Sequence, residues 1–363
     1  MSVNDRRFPR AANQLRHSFT RRSALSLLVG GAGVLAVAGL SACAGSGGAT
    51  VSTSTNGARM SNGGSAQTQG GSTNLQPFSQ NTNIDDVRND PAFGSWGRLL
   101  FPVDEGYMSG STLGSMNLAW YSCIDPDKTV EICNYFYEKA SSGQQVFYDI
   151  YSDQEKADDP AKQDTGLFFF RGDAGNPFAV WSAGGGFAYV AAMHDSFPHA
   201  LELSKRGYNA FAVIYRPGAQ TACEDLSRAI SFIWDHADEL GVQTDGYLLG
   251  GGSAGARMSA WVGGYGTASF GQRDLPQPAA VVTQYTGLSD WSQTDPPTYA
   301  NVGTSDGIAN WRVMQARLGQ MSAAGIPTEF HVYDGLRHGF GLGAGTVADG
   351  WLDQAVSFWE ANR

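Results

Sequence analysis

"GYLLGGGSAGARMSAWVGGYG", residues 246–266, is the stretch on which the fold turns. It reads as an apolar strand, a tight glycine turn and a helix. Within it "GGSAG", Gly251 to Gly255, places Gly-x-Ser-x-Gly between the strand and the helix. A serine at a strained strand-to-helix turn needs neighbours without side chains two residues before and two after. The helix that follows aims its N-terminus at the same spot and favours negative charge there. Ser253 is therefore the candidate nucleophile.

Outward from this turn the sequence keeps the same alternation. "QVFYDIYS" and "TGLFFFRG" read as a first strand pair, and "PFAVWSAGGG" as a buried strand ending in glycines. "FPHALELSKRG" is a short amphipathic helix, and "YNAFAVIYR" the next strand. "TACEDLSRAISFIWDHADELG" is a helix with a capping box at Thr221 and Glu224 and a glycine stop at Gly241. "AAVVTQYTG", "PPTYANVGTSDG" and "PTEFHVYDG" are further strands. "WRVMQARLGQMSAAG" and "DGWLDQAVSFWEAN" are further helices. Strands alternating with helices predict an α/β fold, a mostly parallel central sheet covered by helices on both faces.

In such sheets chemistry gathers where the strands end at their carboxyl edge. Two other strand exits carry candidates. Asp306 stands in "NVGTSDGIAN" and His338 in "YDGLRHGFGLG". Serine attacks poorly until a base removes its proton. Imidazole titrates near neutral pH and can be that base. A carboxylate then holds the ring in the right tautomer and stabilises its protonated form. Asp334 competes as the acid but stands only four residues before His338. His194, His199 and His331 compete as the base. The chain order Ser253, Asp306, His338 is that of the triad following a nucleophile elbow.

"SAGGGFAYV", residues 182–190, supplies what such a triad lacks. Three consecutive glycines lose much chain entropy on folding. They let backbone N–H groups approach a developing oxyanion with no side chain in the way. No Lys-Ser/Thr pair follows, so the loop is not a nucleotide cradle.

The combination "GGGF", "GGSAG", "GTSDG" and "HGF" resembles the α/β-hydrolase superfamily. Within it the chain is similar to the acetyl-esterase and carbohydrate-esterase-like (BD-FAE-like) branch, over about residues 166–363. The resemblance implies an α/β-hydrolase fold with Ser253, Asp306 and His338 as triad. It implies Gly185, Gly186 and Ala254 as oxyanion-hole donors. Ala183 departs from the histidine or proline that often precedes the glycines, so the hydrogen bonds supporting the loop differ. Only "LSDWSQTDP" fills the place where many relatives carry a helical lid, so no long lid insertion is expected.

The N-terminal part is of another kind. Arg21 and Arg22 precede an uncharged run, residues 23–42, that ends in "LSAC". This is the pattern of a twin-arginine-like signal peptide, 1–42, with a lipobox that makes Cys43 the lipidated N-terminus. Gly, Ser and Thr dominate the following residues, so 43–90 is expected to be a flexible tether, with the catalytic domain starting near Pro91. In the extension 91–145, "DPDKTVEICNYFYEKASSG" reads as a helix capped by Asp125. The extension either covers the site or is structural.

Six of the 24 basic residues and one of the 34 acidic residues precede Cys43, leaving 18 − 33 = −15 for the mature chain. That charge argues against nucleic acid as a partner. The three remaining cysteines leave open a Cys123–Cys133 bridge. No metal-ligand cluster and no cofactor motif is present. Trp181, Tyr189, Trp261, Trp291 and Trp311 are candidate stacking platforms for sugars or, alternatively, core.

These readings converge on an exported esterase. It would sit on the outer face of a bacterial cytoplasmic membrane through its lipid anchor and hydrolyse short acyl esters, with acetyl groups on carbohydrate as the candidate substrate. A serine peptidase of the same fold and a non-catalytic binding lipoprotein are the alternatives.

Overall fold

The computed structural model describes residues 77–363. The expected signal peptide 1–42, Cys43 and the tether up to residue 76 lie outside the described residues.

Ten strands are described. β1 (Met108–Ser109) and β2 (Asn117–Leu118) form a small antiparallel pair. β3 (Phe147–Tyr148), β4 (Gly166–Phe170), β5 (Pro177–Ser182), β6 (Asn209–Ile214), β7 (Gln243–Gly252), β8 (Ala280–Gln284), β9 (Thr298–Gly303) and β10 (Thr328–Tyr333) form one sheet. Its order is β10-β9-β8-β7-β5-β6-β4-β3. β5 to β10 are parallel, and β4 and β3 join antiparallel at one edge. The chain leaves β5 toward β6 and returns on its other side as β7. The strand order thus reverses between β5 and β7, which is where a crevice opens at the carboxyl edge of such a sheet.

The ten α-helices of the described residues are α1 (Ile84–Arg88), α2 (Pro126–Ser141), α3 (Asp153–Asp158), α4 (Ala192–Asp195), α5 (Phe197–Lys205), α6 (Ala219–Asp235), α7 (Ala237–Leu240), α8 (Ala254–Tyr265), α9 (Trp311–Ala323) and α10 (Trp351–Ala361). Alternate residues of a strand face opposite sides of its sheet, and β4 uses both sides. Phe168 and Phe170 meet Phe136 of α2 and Phe197 of α5, while Phe169 between them stacks on Phe211 of β6. β4, β5 and β6 are buried throughout, as a sheet covered on both faces requires.

Local expectations are corrected at the start of the packed chain and at both ends of α6. The packed chain begins before Pro91: Phe78 is buried and bonds through its backbone to the Asn134 side chain, and α1 buries Ile84 and Val87. Aromatic and aliphatic side chains therefore anchor a stretch whose overall polarity resembles the tether. The Thr221–Glu224 capping box does not form. α6 starts earlier, at Ala219, because Gly218 at φ 105° supplies the turn, and the Thr221 hydroxyl bonds back to the Pro217 and Gly218 carbonyls. The helix also breaks at His236, so the left-handed Gly241 closes the short α7 instead. Cys123 and Cys133 are not joined, and Cys133 is a buried thiol.

No helix of the described residues is long and apolar enough to cross a membrane. Between β8 and β9 the chain runs without a helix, as expected from its nine-residue "LSDWSQTDP" spacer.

Candidate active site

β7 delivers Ser253 at φ 52° and ψ −116°, a left-handed conformation that is costly for a residue with a side chain. The turn closes because its neighbours are bare. A Cβ at Gly251 would lie 2.5 Å from the Ser182 carbonyl oxygen, and one at Gly255 would lie 2.0 Å from the same atom. The Gly-x-Ser-x-Gly spacing is thus a packing requirement: β7, the turn and α8 press directly on the end of β5.

His338 Nε2 lies 3.0 Å from Ser253 Oγ, and His338 Nδ1 lies 2.8 Å from Asp306 Oδ2. The Asp306 side chain is fully buried, and its other oxygen accepts the N–H groups of Ile308 and Ala309 at 2.8 and 2.7 Å. It is therefore held in one rotamer, with a single oxygen left for the imidazole. The competitors fall elsewhere. Asp334 accepts from the Thr304 hydroxyl, and His331 pairs with Glu329. His199 stacks flat on Trp181, and burial pushes its pKa down to about 3. His194 donates to the Gly339 carbonyl and is also pushed down by burial.

The glycine loop follows β5. Gly185 and Gly186 adopt φ 123° and 65°. A Cβ at Gly185 would meet the Tyr189 carbonyl at 2.2 Å, and one at Gly184 would meet Ser253 Cβ at 2.8 Å. Among the described residues no acceptor takes the N–H of Gly185 or Gly186. Ala254 is the first residue of α8, so its N–H has no intrahelical partner. All three expected donors remain available beside the serine. The Ala183 side chain offers the loop no hydrogen bond, and other groups support it: the Tyr215 hydroxyl donates to the Ala183 carbonyl, and Asp195 accepts the Gly184 N–H.

The extension also reaches this site. Trp120 lies against Gly186, where a Cβ would stand 3.0 Å from its ring. The Ser122 hydroxyl donates to the His338 carbonyl at 2.7 Å, and the Ser122 N–H donates to the Gly339 carbonyl. Tyr107 stacks on Tyr189, whose hydroxyl donates to the Ala119 carbonyl. Residues 117–124 therefore form a strap across both the glycine loop and the histidine loop.

Of the two readings left open for the aromatics, core holds for three of the five. Trp181 is fully buried between His199 and Trp351, and Tyr189 and Trp261 are nearly so, so none of the three is an open platform. Trp120, which no sequence signal singled out, is 49% exposed at the rim of the site. Among the described residues no cluster of acidic, histidine or cysteine side chains could hold a metal ion.

This sheet is the α/β-hydrolase fold, and at its carboxyl edge it brings together a serine at the elbow of β7 with a histidine and an aspartate from later strand exits. Residues 171–305 match the BD-FAE family. The match spans the glycine loop and the elbow and ends one residue before Asp306, so the acid and the base are placed by geometry alone. Among solved structures, the chain is similar to an acetyl ester-xyloside bifunctional hydrolase from Caldicellulosiruptor lactoaceticus. The identity is 21%, over 60% of this chain and 96% of that one, with a TM-score of 0.53. An esterase from Thermogutta terrifontis aligns at 22% identity over 54% and 89% of the two chains, with a TM-score of 0.48. The α/β-hydrolase enzyme MGS-M1 from a Medee basin deep-sea metagenome library aligns at 21% over 54% and 92%, with a TM-score of 0.46. No curated protein matches the chain.

Proposed function

We propose that this protein is a serine esterase of short acyl esters, with acetyl groups on carbohydrate as the favoured substrate class. The observation that carries this is His338, bonded to Ser253 on one ring nitrogen and to Asp306 on the other. His338 Nε2 takes the serine proton as Oγ attacks the ester carbonyl. The negative oxygen of the tetrahedral adduct is stabilised by the N–H groups of Gly185, Gly186 and Ala254. His338 then gives the proton to the departing alcohol and leaves an acyl-serine. A water molecule, deprotonated by the same nitrogen, attacks the acyl carbon, and the carboxylic acid leaves as Ser253 recovers its proton. Asp306 accepts Nδ1–H throughout and stabilises the imidazolium.

The short-acyl reading draws support from the 285–297 connection, which contributes no helix to an acyl tunnel. The acetyl-ester reading draws on the Caldicellulosiruptor neighbour, itself an acetyl ester-xyloside hydrolase. Turnover of p-nitrophenyl esters is expected to be highest from acetate to butyrate and lower for octanoate. Ser253→Ala is expected to lose roughly 10⁶-fold in kcat. A purified, folded variant retaining more than a trace of activity would overturn the assignment, and an octanoate preference would overturn the short-acyl class.

We propose further that Cys43 is lipidated and tethers the domain to the outer face of the membrane. Mass spectrometry of the mature N-terminus is expected to show a diacylated or triacylated cysteine; an unmodified thiol would refute it.

A further inference from the structure

Asp195 is a wholly buried carboxylate at the end of α4, outside the triad. Its Oδ2 accepts the Gly184 N–H at 2.7 Å and the Tyr121 hydroxyl at 2.7 Å, and its Oδ1 accepts the Tyr285 hydroxyl at 2.5 Å. A Cβ on Gly252, the residue before the nucleophile, would stand 2.3 Å from Oδ1. One side chain thus touches four segments: the glycine loop, the elbow, the exit of β8 and the strap 117–124.

Two further observations show that these four segments are held against local preference. Among the described residues, the non-glycine residues with positive φ are Trp120, Cys123, Phe187, Ser253 and Tyr285. Two lie in the strap, one in the glycine loop, one at the elbow and one is the partner of Asp195. Strained backbone persists only where the surroundings over-determine it. Burial also holds the Asp195 carboxyl above its ordinary range, and the three donors aimed at it offset that only in part.

We propose that Asp195 is the positioning residue of the oxyanion loop, and that Tyr121 makes the strap part of the same device. The proposal rests on the esterase reading. Asp195 fixes the Gly184 peptide, and with it the direction of the next two N–H groups. Tyr121 locks the strap onto the same oxygen, so Trp120 covers Gly186 and Ser122 holds the histidine loop. Asp195 touches no substrate. It acts by keeping the donors where the transition-state oxygen will be, rather than where they would relax.

Asparagine and alanine separate this role from plain packing. An asparagine oxygen can still accept from Gly184 and Tyr121, while its NH₂ faces the Tyr285 oxygen. Alanine removes all three bonds. The test is kcat and KM on p-nitrophenyl acetate, per active site titrated with a fluorophosphonate, together with inhibition by a trifluoromethyl ketone. That inhibitor's adduct with Ser253 carries the oxyanion.

Asp195→Ala is expected to lower kcat on the order of 10²-fold, the scale of losing an oxyanion donor, with little change in KM. Ketone affinity should fall with it. Asp195→Asn is expected to recover most of that loss. Tyr121→Phe, which removes one hydroxyl and keeps the ring, is expected to lower kcat by about tenfold, part of the same donor-loss scale. If Asp195→Ala does not fold, Tyr121→Phe and Asp195→Asn decide. Variants with wild-type kcat per titrated site and unchanged ketone affinity would overturn the positioning role while leaving the esterase reading intact. A wild-type protein that turns over no ester would instead sink the esterase reading, and this proposal with it.

Discussion

Two neighbouring pieces of the N-terminal extension do opposite work. α2 is a core element. Asp125 caps it by accepting the N–H groups of Asp127 and Lys128, and Pro126 stands in its first turn. Its apolar face buries Ile132, Cys133 and Phe136, with the Phe136 ring 5.0–5.3 Å from Phe168, Phe170 and Phe197. The strap just before it has little regular structure and two residues at positive φ. Polar bonds to Tyr189, Asp195, His338 and Gly339 hold it in place. Burial of an apolar face stabilises the fold without specifying a catalytic geometry. Directed bonds to loop backbones do the reverse. The question of whether the extension is a cover or a structural element thus divides at about residue 125.

The sharpest way to break this contrast is Phe136→Ala. Removing a fully buried aromatic is expected to destabilise the domain by about 3–5 kcal/mol in a denaturant titration. kcat per folded molecule should stay at the wild-type value, and a fall of more than about tenfold, or ~1.4 kcal/mol, would show that α2 also shapes the site. Trp120→Ala is the mirror experiment. Its exposed ring is expected to leave the unfolding midpoint within about 0.5 kcal/mol of wild type. It should change kcat/KM by up to about tenfold for esters with an aromatic or sugar alcohol, the ~1 kcal/mol scale of ring stacking. Equal effects on every ester would remove Trp120 as a wall of the site.

The smallest expected effect concerns how α2 is fastened to α5. Lys128 and Lys205 both bond Glu202, and Glu131 joins the cluster. Burial opposes the Glu202 charge, but the hydrogen bonds from Lys205 and Lys128 outweigh it and hold the carboxyl at about 2. A carboxyl lowered on folding contributes stability above its unfolded pKa, near ~4.3, and loses it as pH falls toward the folded value. Thermal stability is expected to fall between pH ~4.3 and about 2, and Glu202→Gln should flatten that slope while leaving kcat at neutral pH unchanged. A slope identical in the variant would remove this contact from the account of acid sensitivity.

The constellation of Ser253, Asp306 and His338 was readable because its signals are local. A strand, a glycine-flanked serine and a helix follow one another within residues 246–266, and Asp306 and His338 each stand just past a strand. Asp195 carried no such signal. It lies in a four-residue helix, and its partners Tyr121 and Tyr285 are 74 and 90 residues away in the chain. Trp120 was missed, and Trp181 was left open between platform and core, for one reason: a tryptophan looks alike in sequence whether its ring ends under a helix or at a rim. Nor did helix starts follow the side-chain rule where a glycine could make the turn, as Gly218 does for α6.

Sequence alone determined the alternation of strands and helices, the glycines around Ser253 and the order of serine, acid and base. These depend on backbone sterics and periodicity within a few residues. Tertiary structure alone decided which carboxylate meets His338, which aromatics stay exposed, and that a buried aspartate joins the strap to the oxyanion loop. Those outcomes depend on how the sheet order brings distant strand exits together. Asp306 sits at the end of β9 and His338 beyond β10, its parallel neighbour. β8 and β7 then carry the same edge across to Ser253, and β5 brings the glycine loop alongside. A hydrogen bond of 2.7–3.0 Å is available only after that packing has formed, and no pattern local to the chain encodes it.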